Sequence, residues 1–201
     1  MTGEDFIHLE RPGSRPGLLL LHGTGVDETQ LLPLVEEIAP GHAALGVRGR
    51  VLEAGMPRYF RRLSMHEYDL EDLRRQAGDL ADWLLARPGF NPLLAVGFSN
   101  GGNMGAALLL LRPETLAGAI LMRSNLPVEP DPTPRLDGRK VLLLNAAQDP
   151  YARPGDAERL LALLREAGAE AELQVQPGGH DLTPGEVAAA HDWFARQEWQ
   201  S

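Results

Sequence analysis

Apolar and polar residues alternate in blocks along this chain, and the blocks predict strands and helices in turn. Short apolar runs between turn residues are typical of buried strands; they occur at residues 17–21, 43–47, 93–98, 117–122, 141–144 and 171–175. Stretches with helical periodicity separate them. Because parallel strands need crossover connections, this order predicts an α/β fold with a doubly wound, mostly parallel sheet of about six or seven strands and helices on both faces.

The helix starts are predicted by a capping side chain followed three residues later by an acid or an amide. The pairs are Asp27 with Gln30, Ser64 with Glu67, and Thr183 with Glu186. Pro184 stands at the first helical position of the last pair and strengthens that prediction. Near the N-terminus, "FIHLE" predicts an antiparallel strand at the edge of the sheet.

Length and charge narrow the class of protein. A chain of 201 residues predicts a single domain over residues 1–201. The net charge of -9 disfavours binding to nucleic acid or to an anionic membrane, so the expected partner is a small molecule. The sequence has no cysteine and no segment typical of a signal peptide or a membrane span. We therefore expect an unprocessed cytoplasmic protein.

A serine stands at a predicted sharp turn between an apolar strand and an apolar helix. In "GFSNG", Gly97 and Gly101 flank Ser99 at two residues on either side. Such a turn strains the backbone at its apex and crowds these flanking positions, and glycine relieves the crowding. The pattern is that of a nucleophile elbow; the alternative is a small-residue turn that only packs a helix on a strand. We predict Ser99 as a nucleophile.

Two later loops supply the partners that an activated serine needs, a histidine that accepts its proton and a carboxylate that orients the histidine. Asp149 follows the strand predicted at 141–144, and His180 follows the strand predicted at 171–175. The order serine, acid, histidine at the carboxyl ends of strands predicts a catalytic triad. Each partner alone also fits a simpler role, as a turn-opening aspartate and an ordinary loop histidine.

Two backbone N–H groups are predicted to bind the oxyanion that forms when a carbonyl is attacked. Asn100 follows the serine at the start of a helix, where free amides favour negative charge. The second donor is assigned to Thr24 in "HGTG", residues 22–25. A nucleotide-binding fold also fits the strand and helix order, but Glu28 stands where a dinucleotide-binding loop needs its third glycine. That alternative leaves the elbow and the histidine loop unexplained.

These motifs together resemble the α/β-hydrolase superfamily. The segments "LLLLHGTGVDETQLLPL", "GVRGRVLEAGMPRYFRR", "VGFSNGG", "NAAQDPY" and "GGHDL" are similar to those of its phospholipase/carboxylesterase group, which includes acyl-protein thioesterases and short bacterial carboxylesterases. The resemblance implies the α/β-hydrolase fold and the same triad and oxyanion residues. Asn100 stands where the thioesterase branch carries glutamine, which counts against protein depalmitoylation.

The activity predicted from residues and resemblance is hydrolysis of small to medium acyl esters by a serine carboxylesterase, through an acyl-enzyme and without a metal or organic cofactor. A thioesterase or lysophospholipase with the same triad is an alternative, because all share acyl transfer. A catalytically silent hydrolase-fold binding module is another. Members of the group often dimerise, so the resemblance allows a homodimer.

The expected site is open, because the connection between Met122 and Val141 is too short for the lid domain of many lipases. Residues 56–65 combine three arginines with aromatic residues on a predicted loop, which would wall the acyl pocket and steer an acidic substrate. The alternative is a surface loop with packed aromatic rings and solvated arginines. The residues predicted to contact substrate are His22, Gly23, Gly25, Met56, Tyr59, Phe60, Arg61 and Leu126.

Overall fold

Strands and helices follow one another through residues 5–65 and 67–199, the part of the chain that the computed structural model describes. The strands are β1 (His8–Arg11), β2 (Ser14–Leu21), β3 (His42–Val47), β4 (Val51–Glu53), β5 (Met56–Arg58), β6 (Arg62–Ser64), β7 (Glu67–Tyr68), β8 (Leu93–Phe98), β9 (Gly118–Met122), β10 (Lys140–Ala146) and β11 (Glu170–Gln176). The helices are α1 (Leu32–Ile38), α2 (Leu70–Leu85), α3 (Asn100–Leu111), α4 (Asp156–Glu166) and α5 (Pro184–Ala195).

Seven of these strands form one sheet in the order β1-β3-β2-β8-β9-β10-β11. The neighbours from β3 to β11 pair in parallel, and β1 pairs antiparallel with β3 at the edge. The α/β-hydrolase fold and the mostly parallel, doubly wound sheet are therefore confirmed, and the predicted edge strand is present as β1.

The sheet buries apolar side chains on both faces, because successive residues of a strand point to opposite sides. In β2, Leu19 and Leu21 pack in the core beneath α2, α3 and α4, whereas Leu18 and Leu20 pack in the core beneath α1 and α5. Each fully buried leucine stabilises the fold by roughly 1.5 to 3 kcal/mol. The two cores hold the carboxyl ends of the central strands in fixed positions.

One of the predicted helix starts is confirmed. At the start of α5, the Thr183 hydroxyl accepts from the Glu186 N–H, and the Glu186 carboxylate accepts from the Thr183 N–H at 2.9 Å. The capping box thus fixes the segment that leads into this helix.

The other two predicted helix starts are wrong. Asp27 accepts instead from the N–H of Thr29 at 3.0 Å, and α1 begins only at Leu32. Residues 62–68 form the antiparallel pair β6–β7, and α2 begins at Leu70, where Asp69 caps the helix by accepting from the Asp72 N–H. An extended aspartate directly before the helix supplies the acceptor in place of Ser64.

The segment predicted as a loop at residues 56–65 contains β5 and β6. Strand β5 pairs with β4, and β6 pairs with β7, so two small antiparallel ribbons stand beside the main sheet. Between β9 and β10 the chain forms neither helix nor strand, and no large lid is present there. Within the described ranges, no helix has the length and apolar character needed to cross a membrane.

Candidate active site

Ser99 lies at the bend between β8 and α3 in a backbone conformation that few residues with a side chain adopt, with φ 55° and ψ -115°. Such strain costs on the order of 1 to 3 kcal/mol and is held by its surroundings. A Cβ at Gly97 would lie 2.6 Å from the Gly101 carbonyl oxygen, and a Cβ at Gly101 would lie 2.0 Å from that of Leu21. Both glycines are therefore required by the close packing of the elbow.

The Ser99 hydroxyl points to a histidine that is itself held by a carboxylate. His180 Nε2 lies 3.1 Å from Ser99 Oγ, and His180 Nδ1 lies 2.9 Å from Asp149 Oδ2 and 3.1 Å from Oδ1. The Asp149 side chain is only 4% exposed. With the proton on Nδ1 donated to Asp149, Nε2 is free to accept a proton from Ser99.

The acid loop after β10 is fixed by backbone and ring contacts. The Tyr151 N–H donates to Asp149 Oδ1 at 2.9 Å, and the Tyr151 ring packs edge-on against His180 with centroids 4.7 Å apart. Asn125 Nδ2 donates to the Tyr151 carbonyl at 3.1 Å, and the Asn125 N–H donates to Asn103 Oδ1 at 2.8 Å. These bonds connect the acid loop to the helix that begins at the nucleophile.

A buried arginine holds the histidine loop from both sides. Arg123 Nε donates to the Gly179 carbonyl at 3.0 Å, and its Nη2 donates to the Asp181 carbonyl at 2.8 Å. The same guanidinium forms a fully buried double ion pair with Glu186 in the first turn of α5. Arg123 thus fixes the residues before and after His180.

This ion pair keeps Glu186 charged although both side chains are shielded from water. Burial acts to raise the pKa of Glu186, but hydrogen bonds from Arg123 and Thr183 outweigh burial and lower it below its ordinary value. The charged form is therefore the one that holds the loop at neutral pH.

The glycine-rich loop after β2 presents Thr24 beside the elbow. The Gly23 N–H donates to Gln30 Oε1 at 2.8 Å, and the Gly25 N–H donates to the Pro57 carbonyl at 3.0 Å. The Thr24 N–H between them has no acceptor among the described residues. Asn100, the first residue of α3, has a backbone N–H without an intrahelical partner. Both donors can serve a ligand in front of Ser99.

No family model matches the chain. A Bacillus subtilis (strain 168) protein named "Putative hydrolase MhqD" is 41% identical over 182 residues, which cover 88% of this chain and 91% of that protein. A Bacillus cereus carboxylesterase structure is 37% identical with a TM-score of 0.92, covering 96% of this chain and 95% of that one. The chain belongs to the carboxylesterase group of the α/β-hydrolase superfamily. A carboxylesterase structure from Mesorhizobium loti, 30% identical with a TM-score of 0.90, covers 98% of each chain.

In this esterase a cavity of about 330 Å³ opens in front of Ser99. Residues from both ribbons, from the glycine-rich loop and from the strand ends line it. The described lining residues are Gly23, Thr24, Val26, Gln30, Arg58, Arg62, Met65, Tyr68, Phe98, Ser99, Asn100, Asn103, Arg123, Asn125, Tyr151 and His180.

Of the residues predicted to contact substrate, the esterase cavity includes Gly23, whereas the others lie outside its wall. Tyr59 and Phe60 are core residues, 2% and 0% exposed. Arg61 points outward and pairs with Asp69 at 2.8 Å. These three residues form the bend between β5 and β6, whereas Arg58 at the end of β5 and Arg62 at the start of β6 line the cavity.

The remaining predicted contacts are also placed elsewhere. His22 is 1% exposed and its Nε2 accepts from the Gly49 N–H at 2.9 Å. Gly25 has left-handed backbone with Met56 beside it, and Met56 is 41% exposed. Leu126 is 6% exposed, and its N–H donates to Asp156. These residues shape the loops around the esterase cavity from behind.

Sequence reasoning missed several cavity residues of the esterase. Asn103 lies one helical turn after Ser99, a spacing that could have indicated it, since both share a face of α3. Arg123 and Asn125 follow a strand end in "MRSN", as Asp149 follows the end of a later strand. The sequence pointed to the arginines of residues 56–65 as a group, but it could not single out Arg58, because its position depends on contacts with distant residues such as Thr24.

Proposed function

We propose that this esterase hydrolyses carboxylic esters with Ser99 as nucleophile, His180 as general base and acid, and Asp149 as the group that orients the histidine. The observation that carries the proposal is the continuous hydrogen-bonded line from Ser99 Oγ through the imidazole to Asp149, at 3.1 and 2.9 Å, at the edge of the cavity. A positioned base of this kind activates a hydroxyl that is otherwise unreactive at neutral pH.

In the first half of the reaction, His180 Nε2 takes the Ser99 proton as the serine oxygen attacks the ester carbonyl. The oxyanion accepts hydrogen bonds from the N–H groups of Thr24 and Asn100, and each such donor contributes roughly 3 to 4 kcal/mol to the transition state. His180 then gives the proton to the departing alcohol, which leaves an acyl ester on Ser99. Asp149 stays ionised and stabilises the imidazolium.

In the second half, a water molecule replaces the alcohol. His180 removes its proton as the oxygen attacks the acyl-enzyme, and the same backbone donors stabilise the second oxyanion. Collapse of this intermediate releases the carboxylic acid and returns the proton to Ser99. One ester and one water are thus converted to one acid and one alcohol.

Ser99→Ala tests the proposal directly. We expect kcat on a short-chain nitrophenyl ester to fall by at least about a thousandfold, because the acyl-enzyme cannot form. Ser124→Ala is the matched control, since Ser124 lies nearby but its hydroxyl is buried. Circular dichroism should show that both variants are folded. A Ser99→Ala enzyme that retains most of its activity would contradict the assignment.

A further inference from the structure

The cavity in front of Ser99 has a cationic wall, although the chain as a whole is acidic. The sequence contains 28 acidic residues and 19 lysines and arginines. Among the described lining residues there are nevertheless three arginines, Arg58, Arg62 and Arg123, and no aspartate or glutamate. The carboxylates paired with these arginines, Glu53 and Glu186, are not among the described lining residues, so positive charge faces the cavity.

Two of these arginines are engaged with their own carboxylates. Arg123 forms the buried double ion pair with Glu186 described above. Arg62 donates to both oxygens of Glu53, with its shortest contact at 2.6 Å between Nη2 and Oε1. Bidentate pairs of this kind are among the strongest charge-assisted hydrogen bonds in proteins. Neither arginine is the main candidate for binding a ligand.

Arg58 is placed differently. It is 4% exposed, its Nε lies 3.2 Å from Glu53 Oε2, and the same Nε donates to the Phe60 carbonyl at 3.3 Å. Because Glu53 is shared with Arg62, two guanidinium groups stand against one carboxylate, which leaves a local excess of one positive charge. Burial and the neighbouring Arg62 lower the pKa of Arg58 from its usual value, as expected for an incompletely balanced cation.

The same guanidinium reaches the oxyanion loop. Arg58 Nη1 donates to Thr24 Oγ1 at 2.9 Å, so the guanidinium contacts the same residue whose backbone N–H is the proposed oxyanion donor. Asn100, on the other side of the site, has a buried side-chain Nδ2 with no acceptor in the described part of the chain. The cavity therefore presents donors without matching acceptors, and a buried cation of this kind is stabilised by an anionic ligand.

We propose that Arg58 forms a carboxylate-binding subsite, and that the preferred substrates are small esters bearing a second, ionised carboxylate, such as half-esters of short dicarboxylic acids. This inference rests on the proposed function, because it takes the reacting carbonyl to lie at Thr24 and Ser99. Arg58 binds the carboxylate while the neighbouring amides bind the oxyanion. With such a half-ester the carboxylate stays on the acyl group of the acyl-enzyme and remains bound through both halves of the reaction, whereas a carboxylate carried by the alcohol leaves with it after the first half.

The subsite is tested by comparing kcat/KM for pairs of esters that have similar shapes and differ in whether they carry a carboxylate. Methyl hydrogen succinate carries the charge on the acyl side, and methyl 4-methylpentanoate has nearly the same shape without it. Acetoxyacetate and isobutyl acetate form the corresponding pair for the alcohol side. We expect the wild type to prefer the charged ester of a pair, and Arg58→Met to lower the charged-to-neutral ratio of kcat/KM at least about tenfold, mainly through KM.

The control variants separate charge from support of the loop. Arg58→Lys should restore part of the preference, because it keeps the charge. Arg61→Met should leave it unchanged, because that side chain is 62% exposed and points outward. A wild type without preference for either charged ester, or an Arg58→Met variant that slows charged and neutral esters equally, would overturn the proposal and leave Arg58 as a support for Thr24.

Binding provides a readout that does not depend on turnover. Calorimetry with methyl hydrogen succinate and the Ser99→Ala protein should give a Kd that Arg58→Met raises at least about tenfold. Equal affinity in both proteins would overturn the subsite. Arginine-dependent binding without hydrolysis of any ester by the wild type would support the subsite and contradict the proposed function.

Discussion

One buried histidine holds the glycine-rich loop in its active geometry. His22 Nε2 accepts from the Gly49 N–H, so the imidazole is neutral and carries its proton on Nδ1, which donates to the Gly23 carbonyl at 2.6 Å. Burial lowers the pKa of His22 below its ordinary value, although the bond to Gly23 and the nearby carboxylates of Asp27 and Glu28 act to raise it. A second proton would bind to Nε2, where its hydrogen would face the hydrogen of the Gly49 N–H and break this bond.

This bond predicts a pH-dependent stability. Below about pH 6.5 the unfolded chain binds a proton on His22 that the folded chain does not bind. The free energy of unfolding therefore decreases as the pH is lowered, by at most about 1.4 kcal/mol per pH unit, until the pKa of His22 in the folded chain is reached. In His22→Asn this contribution is absent. Urea unfolding at pH 7.5 and 5.5 should therefore show a smaller decrease for the variant than for the wild type.

An equal decrease in both proteins would show that His22 does not titrate in this range. The buried carboxylate of Glu186 does not interfere, because its pKa is lowered and its contribution is lost only below about pH 4.5. Because the other five histidines are present in both proteins, the difference between the two decreases from pH 7.5 to 5.5 reports His22.

At the residue scale, the sequence located groups with local signals and missed those defined by distant contacts. Ser99 stands between two glycines, and Asp149 and His180 each follow a strand, so all three could be found from neighbouring residues. Arg123 acts on carbonyls and a carboxylate that lie 56 to 63 residues away along the chain. A pattern within a few residues cannot indicate such partners.

At the scale of elements, apolar runs predicted the main sheet, whereas capping signals alone misplaced two helix starts. The strands are buried on both faces, and this produces long apolar runs that few other elements share. In contrast, Ser64 and Glu67 lie opposite each other in the antiparallel ribbon β6–β7, so the same two residues also fit a pair of strands. A cap without a following apolar period is weak evidence for a helix.

The ion pair between the end of β9 and the start of α5 predicts a large effect on stability. Arg123→Met leaves Glu186 buried without its cation, which should lower the free energy of unfolding by about 3 to 5 kcal/mol. The double variant Arg123→Met/Glu186→Gln should recover part of this loss, because no buried charge remains unpaired. Urea unfolding of the wild type, both single variants and the double variant measures the coupling.

Arg159→Met is the matched control for this experiment. Arg159 pairs with Glu129, but both side chains are about 60% exposed, so water replaces the interaction and the expected loss is below about 1 kcal/mol. Similar losses for Arg123→Met and Arg159→Met would contradict the role assigned to the buried pair.

At the scale of the whole molecule, the open cavity predicts a preference for small esters. No large lid stands between β9 and β10, and the cavity of about 330 Å³ is small for a long acyl chain. We expect kcat/KM to be higher for nitrophenyl butyrate than for nitrophenyl palmitate, and long-chain triglyceride emulsions to be hydrolysed slowly. A rate on emulsified triglyceride above that on butyrate esters would contradict this expectation.

The net charge of the molecule differs in sign from the charge of its cavity, and composition predicts only the first of these. A net charge of -9 indicated a partner other than nucleic acid. It could not indicate a cationic cavity, because the sign of a cavity depends on which few side chains converge there. The arginines in residues 56–65 suggested an acidic substrate, but only the folded ribbons distinguish Arg58, which faces the site, from Arg61, which does not.

We infer that Ser99, His180 and the two backbone donors form an activated serine, and reaction with a fluorophosphonate ester tests this inference. Such a reagent is attacked rapidly only by a serine with a functioning base and oxyanion site. Peptide mass spectrometry should find one label per chain, on the peptide that contains Ser99, and none on the peptide that contains Ser124. A folded protein that remains unlabelled at Ser99 would contradict the assignment of Ser99 as the nucleophile.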